Sequence, residues 1–410
     1  MTHFVVLSAA ERDARDLAAD AVDMGTDLAG VALPNPVLTA SGCAAAGREL
    51  AQFFDVTDLG AVVTKSIMTE PRSGRPTPRM AETPSGMLNS IGLQGPGIEA
   101  FLDDDLRWLA DRGARTVVSI AGGTVAEFAV LADRLSGNPA VSAVEVNISC
   151  PNVANRGLVF ACDPQIAARV LSSVRQRIDR DTPVFAKLTP DVTDIVAIAR
   201  ACVDAGADGL SLINTLLGMV IDPVTMRPAL GGVTGGLSGP AIRPVAVRCL
   251  WQVHQALPRV PLIGMGGVRT GLDALELVLA GANAVSVGTT IFNDPSAPVR
   301  VLAELRLALA DRGFTRFTDA IGYAHRGSDE RATRGTDPGA ALDPAGAPDR
   351  AGAPDRAGAP NPAAARRQAA APYAGDPTVV DVREGDGSAD GLSPEPPRFR
   401  EAQFEDRETR

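Results

Sequence analysis

The chain has 410 residues, a net charge of -10, 45% hydrophobic residues and only 4% aromatic ones. It therefore has ample Ala, Val, Leu and Ile for a core, and an acidic balance that argues against nucleic acid or an anionic membrane as partner, since both need basic surface. Its length alone suggests two or three domains, although α/β barrels often run past about 250 residues as one.

Residues 1–24 read as a polar, charged extension. Glu11, Arg12, Asp13, Arg15 and Asp16 stand where a signal peptide would need an apolar stretch, and no run of 18 apolar residues follows anywhere. A hairpin is expected at Leu28-Ala29-Gly30-Val31. Strands are then expected at 37–40, 61–65, 116–120, 143–148, 184–188, 209–213, 261–265 and 284–287. Helical stretches separate them. Thr124 and Glu127 have capping-box spacing, Asp163-Pro164 pairs a cap residue with an N1 proline ahead of 166–178, and Gly206 and Gly281 follow the helices at 193–203 and 272–279.

Eight strand–helix units with continuously apolar strands indicate a parallel sheet covered by helices, and eight is the number that closes a (β/α)8 TIM barrel. An open doubly wound sheet is the alternative. The barrel domain is placed at 25–325. Two connections, 66–100 and 215–239, exceed ordinary loops and are expected to be lids or binding loops. Beyond residue 326 isoleucine vanishes and eleven of the 31 prolines accumulate. There the hexapeptide DPAGAP, DRAGAP, DRAGAP repeats over 343–360, so 326–410 reads as a low-complexity tail unable to bury a core.

The C-terminal ends of barrel strands carry catalytic groups. Here they hold Ser41, Lys65-Ser66, Ser119, Asn147, Cys150, Lys187, Asn214-Thr215, Gly266-Gly267 and Gly288-Thr289. The two glycine pairs, after strands seven and eight, suit a phosphate bound by backbone N–H groups. A Rossmann reading fails, because the third glycine it needs after Gly264 and Gly266 is Arg269. Asn89, Asn147, Asn152 and Asn214 suit a flat ligand of carbonyls and ring N–H groups. Of the three histidines, His3 lies in the extension, and His254 and His325 fall in helical or trailing segments. Cys150 is therefore the foremost proton-transfer candidate, with a thiol that nearby lysines could acidify. Cys162, Cys202 and Cys249 read as small buried hydrophobes, and Cys43 is ambiguous. The five scattered cysteines form no metal-like cluster, which fits a reducing cytoplasm and no metal site. Glu145 shares side-chain parity with Asn147, so it should point into the barrel and pair with Lys187 or Lys65.

Seven stretches in this order resemble the dihydroorotate dehydrogenases, class 1, most closely the type 1B catalytic subunits. They are Leu38-Thr39-Ala40-Ser41-Gly42-Cys43, residues 82–94 (ETPSGMLNSIGLQ), Asn147-Ile148-Ser149-Cys150-Pro151-Asn152, Lys187-Leu188-Thr189-Pro190, Ile213-Asn214-Thr215, residues 235–240 (GGLSGP) and Ile263-Gly264-Met265-Gly266-Gly267. The resemblance implies an FMN-bearing barrel that oxidises dihydroorotate to orotate in pyrimidine synthesis, with Cys150 as base. It implies FMN contacts at Ser41, Lys65, Ser66, Ser119, Asn147, Lys187, Ile213, Gly239, Gly266, Gly267, Gly288 and Thr289. Substrate contacts are implied at Lys65, Asn89, Ser90, Ile91, Gly92, Leu93, Asn147, Asn152, Asn214 and Thr215. Type 1B enzymes pass electrons to NAD+ through a second subunit carrying FAD and a 2Fe-2S cluster. A homodimer, or a heterotetramer with that subunit, is therefore implied. Two departures stand out: Ser119 replaces the usual Asn, and Gly95 replaces another. Three readings compete with this one. They are a type 1A enzyme using fumarate directly, a lyase forming a Schiff base through Lys187, and a non-enzymatic scaffold that binds a phosphorylated ligand and recruits partners through its tail.

Overall fold

A computed structural model describes residues 9–149 and 162–327. Residues 9–20 of the expected extension are helical, Ala9–Asp20. This helix packs along the helix Ala297–Ala310 and is tied down where Arg15 Nε donates to Asp311 Oδ1 at 2.7 Å. Ala19, Val22 and Met24 are buried at its end.

The expected hairpin follows as β1 (Thr26–Leu28) and β2 (Val31–Leu33), whose turn residues Ala29 and Gly30 have φ of 55° and 91°. Two left-handed residues in a two-residue turn match the twist of paired strands. Next come β3 (Val37–Thr39), β4 (Val62–Val63), β5 (Met80–Thr83), β6 (Gly86–Asn89), β7 (Thr116–Ile120), β8 (Ala143–Asn147), β9 (Val184–Leu188) and β10 (Gly209–Leu212). The chain then makes β11 (Leu216–Gly218), β12 (Ile221–Asp222), β13 (Arg227–Pro228) and β14 (Gly235–Ser238) before β15 (Leu262–Met265) and β16 (Ala284–Val287).

One eight-stranded parallel sheet runs β3-β16-β15-β10-β9-β8-β7-β4, and a parallel bridge from Leu38 to Ala61 joins its two edges. The sheet is a closed (β/α)8 barrel, and each of the eight strands read from the sequence is one of its staves. Their apolar residues serve two cores of opposite parity. Val118, Ile120, Val144, Val146, Val184 and Leu188 face the helices. Val117, Ala143, Phe185, Ile263 and Ala284 fill the barrel interior together with Leu28 and Leu33 of the hairpin, which plug its lower end. Gly209 makes room for Phe185, because a Cβ there would lie 2.2 Å from the ring. Above this apolar plug the inward positions turn polar: Ser119, Glu145, Asn147, Lys187, Ser211 and Ser286 are all buried. The polar layer lies at the C-terminal ends of the strands and positions the site.

The helix signals act as the spacing predicts. Thr124 accepts from Glu127 N, but Glu127 reaches back to Gly123 N at 2.9 Å rather than to the Thr124 N–H that a full capping box would use. Asp163 caps Pro164–Arg175, and the helix after β9 is Ile195–Asp204, capped by Asp194 and starting two residues beyond the expected Thr193. Gly206 and Gly281 close their helices with φ of 102° and 121°.

Two expectations change. The long connections are not loops: β11, β14, β6 and β5 pair antiparallel into one sheet, with Gly236 opposite Asn89 and Leu237 opposite Leu88. Each strand is three or four residues long and three contain glycine, so no alternation shows within either segment, and the pairing exists only between distant segments. Cys162 is exposed, because it sits just before the Asp163 cap and outside the helical stripe that packs.

Candidate functional site

The antiparallel sheet, with the loops around it, and the polar barrel mouth enclose a cavity of about 820 Å³. From the barrel it takes Ser41, Lys65, Ser66, Asn147, Lys187, Ile213, Asn214 and Thr215. From the β6 segment it takes Asn89, Ile91, Gly92 and Leu93, and from the far wall Gly239, Gly266, Gly267, Gly288 and Thr289. Groups spread over 250 residues of sequence thus meet in one space.

The floor is a continuous hydrogen-bonded network. Ser41 Oγ lies 3.2 Å from Ser66 Oγ, which lies 2.9 Å from Ser119 Oγ, and Ser119 donates to Glu145 Oε1 at 3.1 Å. Lys187 Nζ meets the same carboxylate oxygen at 3.3 Å, so the expected partner of Glu145 is Lys187 rather than Lys65. Asn147 donates to Ser66 at 2.9 Å and accepts from Ser149 and Asn214. Asn214 in turn accepts from the Thr215 amide at 2.8 Å. A buried ion pair survives when both charges gain further hydrogen bonds, and Ser119 supplies one. This arrangement removes the Schiff-base reading: Lys187 is 4% exposed and bound to a carboxylate, where such chemistry needs a neutral, reachable amine.

The far wall is built for close approach. Gly266 and Gly267 have φ of 124° and 79°, and a Cβ at either would come within 2.9 Å of Ala246 or 2.7 Å of Arg243. No described residue accepts from the amides of Gly266, Gly267 or Gly288. Thr289 adds a hydroxyl, bonded to Ser238 at 2.8 Å. A run of unpaired amides on bare backbone, with a hydroxyl beside it, is an oxyanion cradle.

Two expected contacts do not reach the cavity. Ser119 is fully buried beneath it, because its hydroxyl is held between Ser66 and Glu145. Ser90 is also fully buried, its hydroxyl turned to Arg75 at 3.3 Å. Cys150 and Asn152 lie outside the described residues. Among the described cysteines only Cys43 lines the cavity, and burial pushes its thiol up to about 11 against the pull of Lys187 and Lys65. The structure adds Ser238, Arg269 and Asn293 to the wall. Arg269 had a sequence signal, a cation two residues after the glycine pair; Asn293 had none.

Among the described residues no helix is long and apolar enough to cross a membrane, and no cluster of His, Cys, Asp or Glu could hold a metal.

The family model for dihydroorotate dehydrogenase matches residues 24–309. The chain is 52% identical over 299 residues to the dihydroorotate dehydrogenase B (NAD(+)) catalytic subunit of Desulforudis audaxviator, covering 73% of this chain and 96% of that protein. It is 50% identical over 300 residues to the protein of the same name from Pelobacter propionicus, covering 73% and 98%. A crystal structure of the Eimeria tenella dihydroorotate dehydrogenase in complex with ferulenol shares the fold, with a TM-score of 0.64 at 23% identity over 79% of this chain and 97% of that one. The matched region contains every strand of the barrel and the whole described cavity, and on those grounds the chain belongs to the dihydroorotate dehydrogenase family.

Proposed function

We propose that this chain oxidises dihydroorotate to orotate for pyrimidine biosynthesis, using FMN held in the cavity and passing the electrons to NAD+ through a separate subunit. The observation that carries the reading is the joining of an oxyanion cradle to a carboxamide-lined pocket inside one cavity of about 820 Å³, room for a phosphorylated planar cofactor and a small ring beside it. The amides of Gly266, Gly267 and Gly288, which no described residue accepts from and where no Cβ fits at the first two, suit the FMN phosphate. Ser41, Lys65, Ser66, Asn147, Lys187, Ile213 and Gly239 line the path of its ring, and Lys187 offers positive charge to it. FMN, when bound, supplies the hydride acceptor.

The chain's own residues do the rest. Lys65 and the amides of Asn89, Asn147 and Asn214, with Ile91, Gly92, Leu93 and Thr215, hold the substrate ring and carboxylate. Cys150 and Asn152 belong to this reading through the family motif Asn147-Ile148-Ser149-Cys150-Pro151-Asn152, with the Cys150 sulfur as the base that takes the substrate proton. The antiparallel sheet over the mouth excludes water from the reacting face. The division into a flanking 1–24, a catalytic barrel over 25–325 and a tail over 326–410 is part of the same reading. So are a homodimer and an electron-transfer subunit carrying FAD and a 2Fe-2S cluster. The two relatives at 50% identity or more are named as catalytic subunits of NAD(+)-type enzymes, which favours this acceptor over fumarate.

Anaerobic addition of dihydroorotate to the purified chain is expected to bleach its flavin absorbance; an unchanged spectrum refutes the reaction. NAD+ is expected to be reduced only when the electron-transfer subunit is present, and NADH formation by the chain alone would refute the division of labour.

A further inference from the structure

Glu145 is fully buried, yet among the described residues its Oε2 has no hydrogen-bond partner. Such an atom in a barrel interior is costly unless the charge it belongs to serves the site. Counting donors shows what that charge controls. An ionised carboxylate only accepts, so Ser119 must give its one proton to Glu145 Oε1. Ser119 can then only accept from Ser66. Ser66 has spent its proton, so the contact to Ser41 requires Ser41 to donate. The lone pairs of Ser41 are what remains to face the cavity, and they suit a ring N–H.

The amide half of the network has its own anchor. The Thr215 N–H donates to Asn214 Oδ1, so Asn214 Nδ2 points to Asn147 Oδ1, and Asn147 Nδ2 points to Ser66. That half would stand without Glu145. The hydroxyl half would not: with a neutral group at 145, Ser66 could donate to Ser41 and reverse its polarity.

We propose that Glu145 is the positioning residue of this site, holding the Lys187 ammonium at the cavity floor and, through Ser119 and Ser66, fixing Ser41 as a hydrogen-bond acceptor toward the ligand. Ser119 is the link between carboxylate and floor rather than a ligand contact. The proposal deepens the flavin reading and rests on it.

The test compares full-length E145Q, E145D and S119A with the wild type, reading the midpoint potential of bound FMN at about pH 6 and FMN affinity by fluorescence quenching. Gln keeps the shape of Glu and loses the charge; Asp keeps the charge and loses a methylene. E145Q is expected to raise the potential, because Lys187 is no longer neutralised and favours the anionic reduced flavin, while E145D stays closer to wild type. A packing role gives the opposite order, with E145D the more damaged. S119A leaves every charge in place and cuts the chain; it is expected to weaken FMN binding about fivefold, the factor one buried hydrogen bond commands, with the potential little changed. Wild-type potential and affinity in E145Q overturn the proposal, as does a larger effect of E145D, or unchanged affinity in S119A. Should E145Q not fold, S119A still decides. A wild-type chain that binds no FMN refutes the flavin reading instead.

Discussion

Cys43 and Lys187 are both legible in the sequence as polar residues near strand ends, but there Cys43 is ambiguous and Lys187 shares the claim on Glu145 with Lys65. At the mouth, burial raises the Cys43 thiol to about 11, so it is protonated at neutral pH and is no rival to the base proposed at Cys150. Cys43 is accordingly expected to resist iodoacetamide at pH 7.5 in the native chain, with labelling followed by mass spectrometry and compared with the unfolded protein. Rapid labelling of native Cys43 would show that the lysines outweigh burial. For Lys187, side-chain parity alone brought Glu145 into reach, because alternation along a strand is local. The choice between Lys187 and Lys65 was not local, since it depends on which strands are neighbours: β9 lies beside β8, and β4 lies two strands away. Ser119 and Ser90 show the counterpart: one stands at a strand end and the other inside the 82–94 motif, and only three-dimensional packing turns each hydroxyl away from the cavity.

At the scale of elements, the barrel strands and helix caps were readable because each rests on a short-range rule: apolar runs, N-cap chemistry, and glycine after a helix. The glycine pair after β15 also carries its meaning locally. Gly267→Ala places a Cβ 2.7 Å from Arg243 at a φ of 79°, a strain of about 1–3 kcal/mol. The expected result is weaker FMN retention on gel filtration, along with a lower denaturant midpoint; full retention of FMN would remove this loop from the cradle. The sheet over the mouth was not readable. Its hydrogen bonds join residues such as Asn89 and Gly236, and nothing within either segment specifies the other. Gly235 is required there because a Cβ would come within 2.6 Å of the Asn89 carbonyl oxygen, a constraint that exists only once the two segments meet.

At the scale of the molecule, the two described histidines lie apart from the chemistry. His325 stacks on Trp251 with centroids 3.6 Å apart, and His254 packs against it with a buried Nδ1 that has no partner among the described residues. Burial first, and then His325, hold His254 below its ordinary 6.5. The unfolded chain therefore takes up a proton near that pH while native His254 stays neutral. Its contribution to stability is complete above about pH 6.5 and is lost as the pH falls toward the depressed folded value. Urea midpoints at pH 8 and 5.5 are expected to show this loss, and a His254→Leu chain is expected to lose less on the acid side. An identical pH dependence in both would assign the loss elsewhere. The sequence by itself determined the eight-stave barrel, the polar character of its mouth and the glycine cradle, because periodicity, caps and turn chemistry are short-range and repeat along the chain. Tertiary structure alone decided which charges pair, which hydroxyls face the ligand and how two remote segments roof the cavity. Those outcomes depend on strand neighbours and on atoms brought within 3 Å from positions far apart in the chain.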